Sequence, residues 1–145
     1  MRVVLIGSGN IAHHFGHNFL NKGYTIVQVY SRRPDQAKIL ADQLHVGILQ
    51  QLTDIDRHAD LYVIAVQDSA ITSVISQLPS DLRGIIVHTS GATPSSVLDR
   101  FVNYGVIYPL QSVRKEVDID FAQIPLAIEG NTDAAAQDLV KFSKS

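Results

Sequence analysis

The sequence contains no cysteine, which excludes disulfide scaffolds, thiolate metal sites and cysteine nucleophiles together. A reducing, cytoplasmic setting is the expectation that goes with it. No stretch approaches the ~18 consecutive apolar residues of a membrane helix. The opening run Val3-Val4-Leu5-Ile6 is too short for a signal peptide and meets glycine at once, so it reads as a strand. An excess of one charge is missing as well. The net value is −2, so neither nucleic acid nor an anionic membrane is expected as a partner. Against that background Arg32 and Arg33 are a local feature, not part of a basic face. There is no internal repeat, no low-complexity segment and no recognisable linker. What is present is 145 residues, 46% hydrophobic and 18% charged, enough for one domain with a proper core and too few for two.

Apolar runs alternate with segments of helical period, the pattern of a parallel sheet covered by helices on both faces. Strands are expected at Arg2–Ile6, Tyr24–Tyr30, Val46–Leu49, Leu61–Val66, Gly84–His88, Val106–Tyr108 and Pro125–Ile128. Helices are expected at Asn10–Asn21, with Ile11, Phe15 and Leu20 inward, and from Pro34 to about Leu44, with Ala37, Leu40 and Ala41 inward. A third spans Ala70–Leu78 and is ended by Pro79. Leu52–His58 holds one helical turn, and Thr93-Pro94-Ser95 opens a helix towards Phe101. Asn131-Thr132-Asp133 starts a last helix through Ala134–Phe142, and Ser143-Lys144-Ser145 carries no glycine or proline stop signal. That ending suits a piece of a longer protein or a frayed terminus. Gln111–Gln123 has no assignable pattern.

Gly7-Ser8-Gly9-Asn10-Ile11-Ala12 lies directly after the first buried strand and directly before the first helix. The first glycine permits a tight turn, the second lets the backbone approach a pyrophosphate, and Ala12 lets the helix pack close to the strand. The helix N-terminus adds unpaired N–H groups and the positive end of its dipole. A purely structural turn is the alternative, but the strand–turn–helix setting favours a dinucleotide site. For NAD, the second strand should end in Asp or Glu, which bonds the ribose hydroxyls. Here it ends Tyr30-Ser31-Arg32-Arg33, and a hydroxyl with two guanidinium groups suits the 2′-phosphate of NADP. Solvated arginines before a helix are the alternative. The fold class that follows is α/β, a Rossmann-type doubly wound, mainly parallel sheet.

Ligands of such sheets lie outside the carboxyl ends of the strands. Ala65-Val66-Gln67 ends one strand and is expected along the nicotinamide-side ribose, with Asp68 or Ser69 capping the next helix. His88-Thr89-Ser90-Gly91 ends another. His88 reads as a proton donor or substrate-orienting group, or equally as a buried histidine bonded to backbone. Thr89 and Ser90 contact substrate or shape the turn. Tyr108-Pro109-Leu110-Gln111-Ser112 brings a phenol, an amide and a hydroxyl to a third strand end, where Tyr108 reads as a general acid or as structural. His13, His14 and His17 share a helix face. With no companion Glu and no obvious third ligand they read as solvated or packing residues, and no metal is assigned. The absence of a Gly-x-Ser-x-Gly elbow sets aside a serine hydrolase.

Together, Gly7-Ser8-Gly9-Asn10-Ile11-Ala12 followed by His14, Tyr30-Ser31-Arg32, His88-Thr89-Ser90-Gly91 and Tyr108-Pro109-Leu110-Gln111 resemble a bacterial family of Rossmann-like oxidoreductases of unassigned substrate. That family is related to pyrroline-5-carboxylate reductase, to the 6-phosphogluconate and 3-hydroxyisobutyrate dehydrogenases, and to deazaflavin-dependent NADP reductases. The resemblance covers essentially the whole chain. It implies an NADP-dependent oxidoreductase of a small molecule, with residues 1–145 as its nucleotide-binding domain. It further implies a C-terminal helical domain, lacking here, that builds a homodimer and supplies part of the substrate and proton-donor set. By position it turns Ser90 and Gly91 towards substrate and puts His88 and Gln111 near the nicotinamide, so His88, Ser90 and Gln111 are the catalytic candidates. The other class compatible with the fold is an NADP-binding sensor or regulatory module without turnover.

Overall fold

Val3 to Ile6, Leu61 to Ile64 and Ile85 to Val87 offer no polar side chain to water, and each run is a strand buried on both faces. The computed structural model describes residues 1–144, so Ser145, the last residue of the terminus noted above, lies outside the described residues. The strands are β1 (Arg2–Ile6), β2 (Thr25–Tyr30), β3 (Leu61–Ile64), β4 (Ile85–His88), β5 (Tyr104–Pro109) and β6 (Leu126–Gly130). The helices are α1 (Asn10–Asn21), α2 (Pro34–Leu44), α3 (Asp68–Gln77) and α4 (Asp133–Lys144). One sheet runs β2-β1-β3-β4-β5-β6. All its pairings are parallel except the last, where β6 returns antiparallel to β5. The doubly wound α/β expectation holds.

Alternate residues along each strand feed two cores. Val3, Leu5, Leu61 and Val63 meet α1, α2 and α4 on one face. Val4, Ile6, Tyr62 and Ile64 meet α3 on the other. The inward stripe of α1 is Ala12, Phe15, Gly16 and Phe19, and that of α2 is Ala37, Leu40, Ala41 and Leu44, both at helical period. Leu20, expected inside, is 38% exposed because Phe19 takes the inward position.

Three expectations need correction. Val46–Leu49 is not a strand: His45 turns the chain at φ 58, and only Ile48 forms a bridge, to Val29. Leu49 then dives into the second core. Residues 93–101 hold a 3-10 turn at Ser95–Leu98 rather than a helix, because the chain must be back in the sheet at Tyr104. The Leu52–His58 turn is likewise 3-10 and confined to Leu52–Asp54. Residues 110–124, most of which had no assignable pattern, form a largely irregular strap that crosses from β5 to α1, burying Val113, Phe121 and Ile124 in the first core. Among the described residues no helix is long and apolar enough to cross a membrane.

Candidate functional site

The five parallel strands deliver their carboxyl ends to one edge of the sheet. Chain order reverses at β1, with β2 on one side and β3 on the other. That switch point is where open α/β sheets bind ligands. A cleft of about 830 Å³ opens there. The glycine loop forms its floor. Tyr30 to Arg33 and Gln36 form one wall, and Ala65 to Asp68 another. Tyr108 to Lys115 close the third side.

Gly7 sits at φ 128, and a Cβ there would lie 2.1 Å from the carbonyl oxygen of Ala65. The backbones of β1 and β3 therefore touch at a point where only hydrogen fits. Gly9 differs: nothing lies within 4 Å of the position its Cβ would take, so this stretch of backbone is open to a ligand. Gly9 is also the N-cap of α1 and makes no side-chain capping bond, which leaves the first-turn N–H groups for an anion. Ser8 Oγ lies 2.8 Å from Ser31 Oγ, tying the loop to the end of β2. The Arg33 N–H donates to Ser31 Oγ at 3.1 Å. Arg32 and Arg33 are exposed beside the cleft. An open glycine backbone, a free helix N-terminus and paired guanidinium groups fit the phosphates of a dinucleotide.

Of the expected residues, Gly7 to Ile11, Ser31 to Arg33, Ala65 to Gln67 and Gln111 all line the cleft. Ala12 does not; it is fully buried under α1, where its small size lets the helix approach the sheet. Asp68 is the first residue of α3, where its carboxylate favours the helix dipole. Gln36, Arg114 and Lys115 line the cleft and were not anticipated. An Arg-Lys pair inside a segment without pattern was the available signal, in a chain with only 12 Lys and Arg residues.

His88 and Ser90 stand apart from the cleft. His88 is 0% exposed. Its Nδ1 accepts the Ser90 N–H at 3.0 Å, so Nε2 carries the proton and donates to the Pro94 carbonyl at 3.3 Å. The geometry is that of a buried histidine bonded to backbone. Ser90 Oγ donates to Thr93 Oγ1 at 3.0 Å and accepts the Ala92 N–H at 3.2 Å, so it shapes the turn. Burial pushes the His88 imidazole below the ordinary histidine value, against the opposing pull of the Pro94 carbonyl. The unfolded chain therefore takes up a proton that the folded one resists, and stability rises with pH across that range. Stability is accordingly expected to fall as pH drops below about 6.5. Urea unfolding at pH 7.5 and 5.0 measures this, and His88→Asn should make the pH dependence shallower. An unchanged slope in the variant would remove His88 as its source.

The three histidines of α1 lie together, the His13 ring 5.0 Å from that of His14 and 4.4 Å from that of His17. His14 is buried, its Nε2 lies 2.7 Å from the Arg114 carbonyl, and its ring stacks on Phe121 at 5.9 Å. His17 pairs with Gln43. Burial, then the neighbouring His17 and His14, push His13 down to about 4. Among the described residues no group of three His, Cys, Asp or Glu side chains is placed to hold a metal.

The profile of a family described as NADP oxidoreductase, coenzyme F420-dependent, matches residues 2–92. No curated protein matches the sequence. Among solved structures, a candidate NADP oxidoreductase from Bacteroides fragilis is 31% identical with a TM-score of 0.86; the match covers 98% of this chain and 56% of that one. Pyrroline-5-carboxylate reductase from Streptococcus pyogenes is 16% identical at TM-score 0.76, covering 99% of this chain and 55% of that one. Prephenate dehydrogenase from A. aeolicus, solved with NAD+, is 13% identical at TM-score 0.77, covering 99% and 56%. The last two speak for the fold alone. The chain thus spans little more than half the length of the structures it matches.

Proposed function

We propose, for a chain that belongs to the family of coenzyme F420-dependent NADP oxidoreductases, that its cleft holds NADP and that the whole protein moves a hydride to or from a small-molecule substrate. A nicotinamide cofactor is common ground for the family and its dehydrogenase neighbours. The choice of NADP rests on one observation. Ser31, Arg32 and Arg33 follow β2 at the cleft, where a carboxylate would serve NAD and would repel a 2′-phosphate.

When bound, the nicotinamide supplies the hydride chemistry, and the protein supplies binding and orientation. In this reading the Gly9 backbone and the start of α1 take the pyrophosphate, while the backbone of Ala65 to Gln67 passes along the nicotinamide-side ribose. Gln111 and Tyr108 line the same cleft and are the side chains placed to orient the reacting ring and substrate. His88 and Ser90 act one step removed, by holding the Thr89–Gly91 turn. A following helical domain that builds a homodimer belongs to the same proposal, for which the match leaves room, since it covers 56% of the Bacteroides structure. No observation favours a sensor without turnover.

Calorimetric titration with NADPH and NADH tests the cofactor. NADPH should bind more tightly, and Arg32→Ala should weaken it by about 1.5–3 kcal/mol, the value of a hydrogen bond to a charged group. NADH affinity should hardly change. Equal affinity for the two cofactors, or a preference unchanged by the substitution, would overturn the reading.

A further inference from the structure

The strap after β5 brings a cation to the cleft from residues distant in sequence. Its backbone is pinned to α1 by two bonds. The Lys115 N–H donates to Asn10 Oδ1 at 3.1 Å, and His14 Nε2 lies 2.7 Å from the Arg114 carbonyl. Val113 and Phe121 anchor it on either side, both buried in the core. The start of the strap cannot drift far from the glycine loop.

Its two cations are placed differently. Arg114 Nε lies 3.9 Å from a Glu116 carboxylate oxygen. For Lys115, among the described residues, no carboxylate lies within ion-pair distance. Its ammonium donates at 3.3 Å to Gln36 Oε1, a neutral amide. Gln36 lies in the first turn of α2, three residues beyond Arg33, and both line the cleft with Lys115. Arg32, Arg33 and Lys115 line the cleft together with Ser31, and the carboxylates nearest to them in the sequence, Asp35 and Glu116, do not line it. Like charges brought to one cleft repel unless an anion joins them. A lysine on a four-carbon stem, tethered only at its backbone and by one neutral bond, can turn to such an anion.

We propose that Lys115 is a third cation for the 2′-phosphate and a determinant of the preference for NADPH over NADH. The proposal rests on the NADP reading above. It assigns the pyrophosphate to the glycine loop and reserves Lys115 for the phosphate that distinguishes the two cofactors.

Titration of the full chain with NADPH and with NADH tests it, using the wild type, Lys115→Met and Lys115→Arg. The methionine variant should bind NADPH roughly tenfold more weakly and NADH as before. The arginine variant should keep most of the preference. Lys115 is exposed, so both variants should unfold at the wild-type urea concentration. Equal weakening of NADPH and NADH would give Lys115 to the pyrophosphate or to strap position, and would overturn the proposal. So would a full preference retained in Lys115→Met, which leaves the NADP reading intact. A wild type without preference would remove both.

Discussion

Replacement of Gly7 by alanine is expected to lower stability by on the order of 3 kcal/mol or more and to abolish cofactor binding. Two costs add. Alanine at φ 128 is strained, which costs of order 1–3 kcal/mol. Its Cβ would also sit 2.1 Å from the Ala65 carbonyl oxygen, and overpacking against backbone costs about the same again. The clash has no flexible side chain to absorb it, so the ends of β1 and β3 must separate. That would break the bonds that join them and the neighbouring strand, Ala65 N–H to Ile6 O and Gly7 N–H to Tyr30 O, both 2.7 Å. Gly9→Ala makes the contrast. Its methyl meets nothing in the free protein, so the stability cost is that of a poorer N-cap, roughly 0.5–1 kcal/mol. The same methyl stands where a pyrophosphate must approach. Urea unfolding and NADPH titration on both variants separate the two roles. A Gly7→Ala protein with the wild-type midpoint would show that the β1–β3 contact is not the constraint.

Phe121→Ala is the second large effect. The ring is 6% exposed, meets Phe15 edge-on at 4.9 Å and stacks on His14. Truncating such a side chain costs about 3–5 kcal/mol where the surroundings cannot collapse. The loss falls first on the strap, whose remaining buried anchors are Val113 and Ile124. Proteolytic cleavage within residues 111–120 should therefore speed up, and NADPH affinity should drop as Lys115 loses its station. Val102→Ala, at a position 80% exposed and outside the cleft, should leave both unchanged. Cleavage in Phe121→Ala at the wild-type rate would mean that the ring does not hold the strap.

The parts of the fold that were readable are those whose cause is local. β1, the glycine turn, α1, β2 and α2 follow one another with apolar runs, helical stripes and a Pro at the α2 start, so their limits in sequence and structure nearly coincide. Val46–Leu49 has the composition of a strand, but after the left-handed turn at His45 it meets the sheet in a single bridge to Val29, made by the backbone of Gly47 and Leu49. Composition carries no record of that geometry. The sequence leaves His88 between two roles because the choice depends on where the Ser90 N–H and the Pro94 carbonyl lie. The cleft divides in the same way. Gly7, Gly9 and Ser31 to Arg33 carry a motif in contiguous residues. Gln36 and Lys115 face the same space only because chain segments 79 residues apart meet, and no periodicity announces a contact of that kind.

That separation along the chain also sets an order in time. The glycine loop is closed by a partner 23 positions away, Ser31, and by neighbouring strands. The strap is seated by bonds spanning 105 and 100 positions, from Lys115 to Asn10 and from His14 to Arg114. Loop-closure entropy grows with the logarithm of length, and contacts of long range are rewarded only once the intervening structure exists. The sheet is thus expected to assemble before the wall that faces it, and NADPH binding should trail the far-UV signal of secondary structure during refolding.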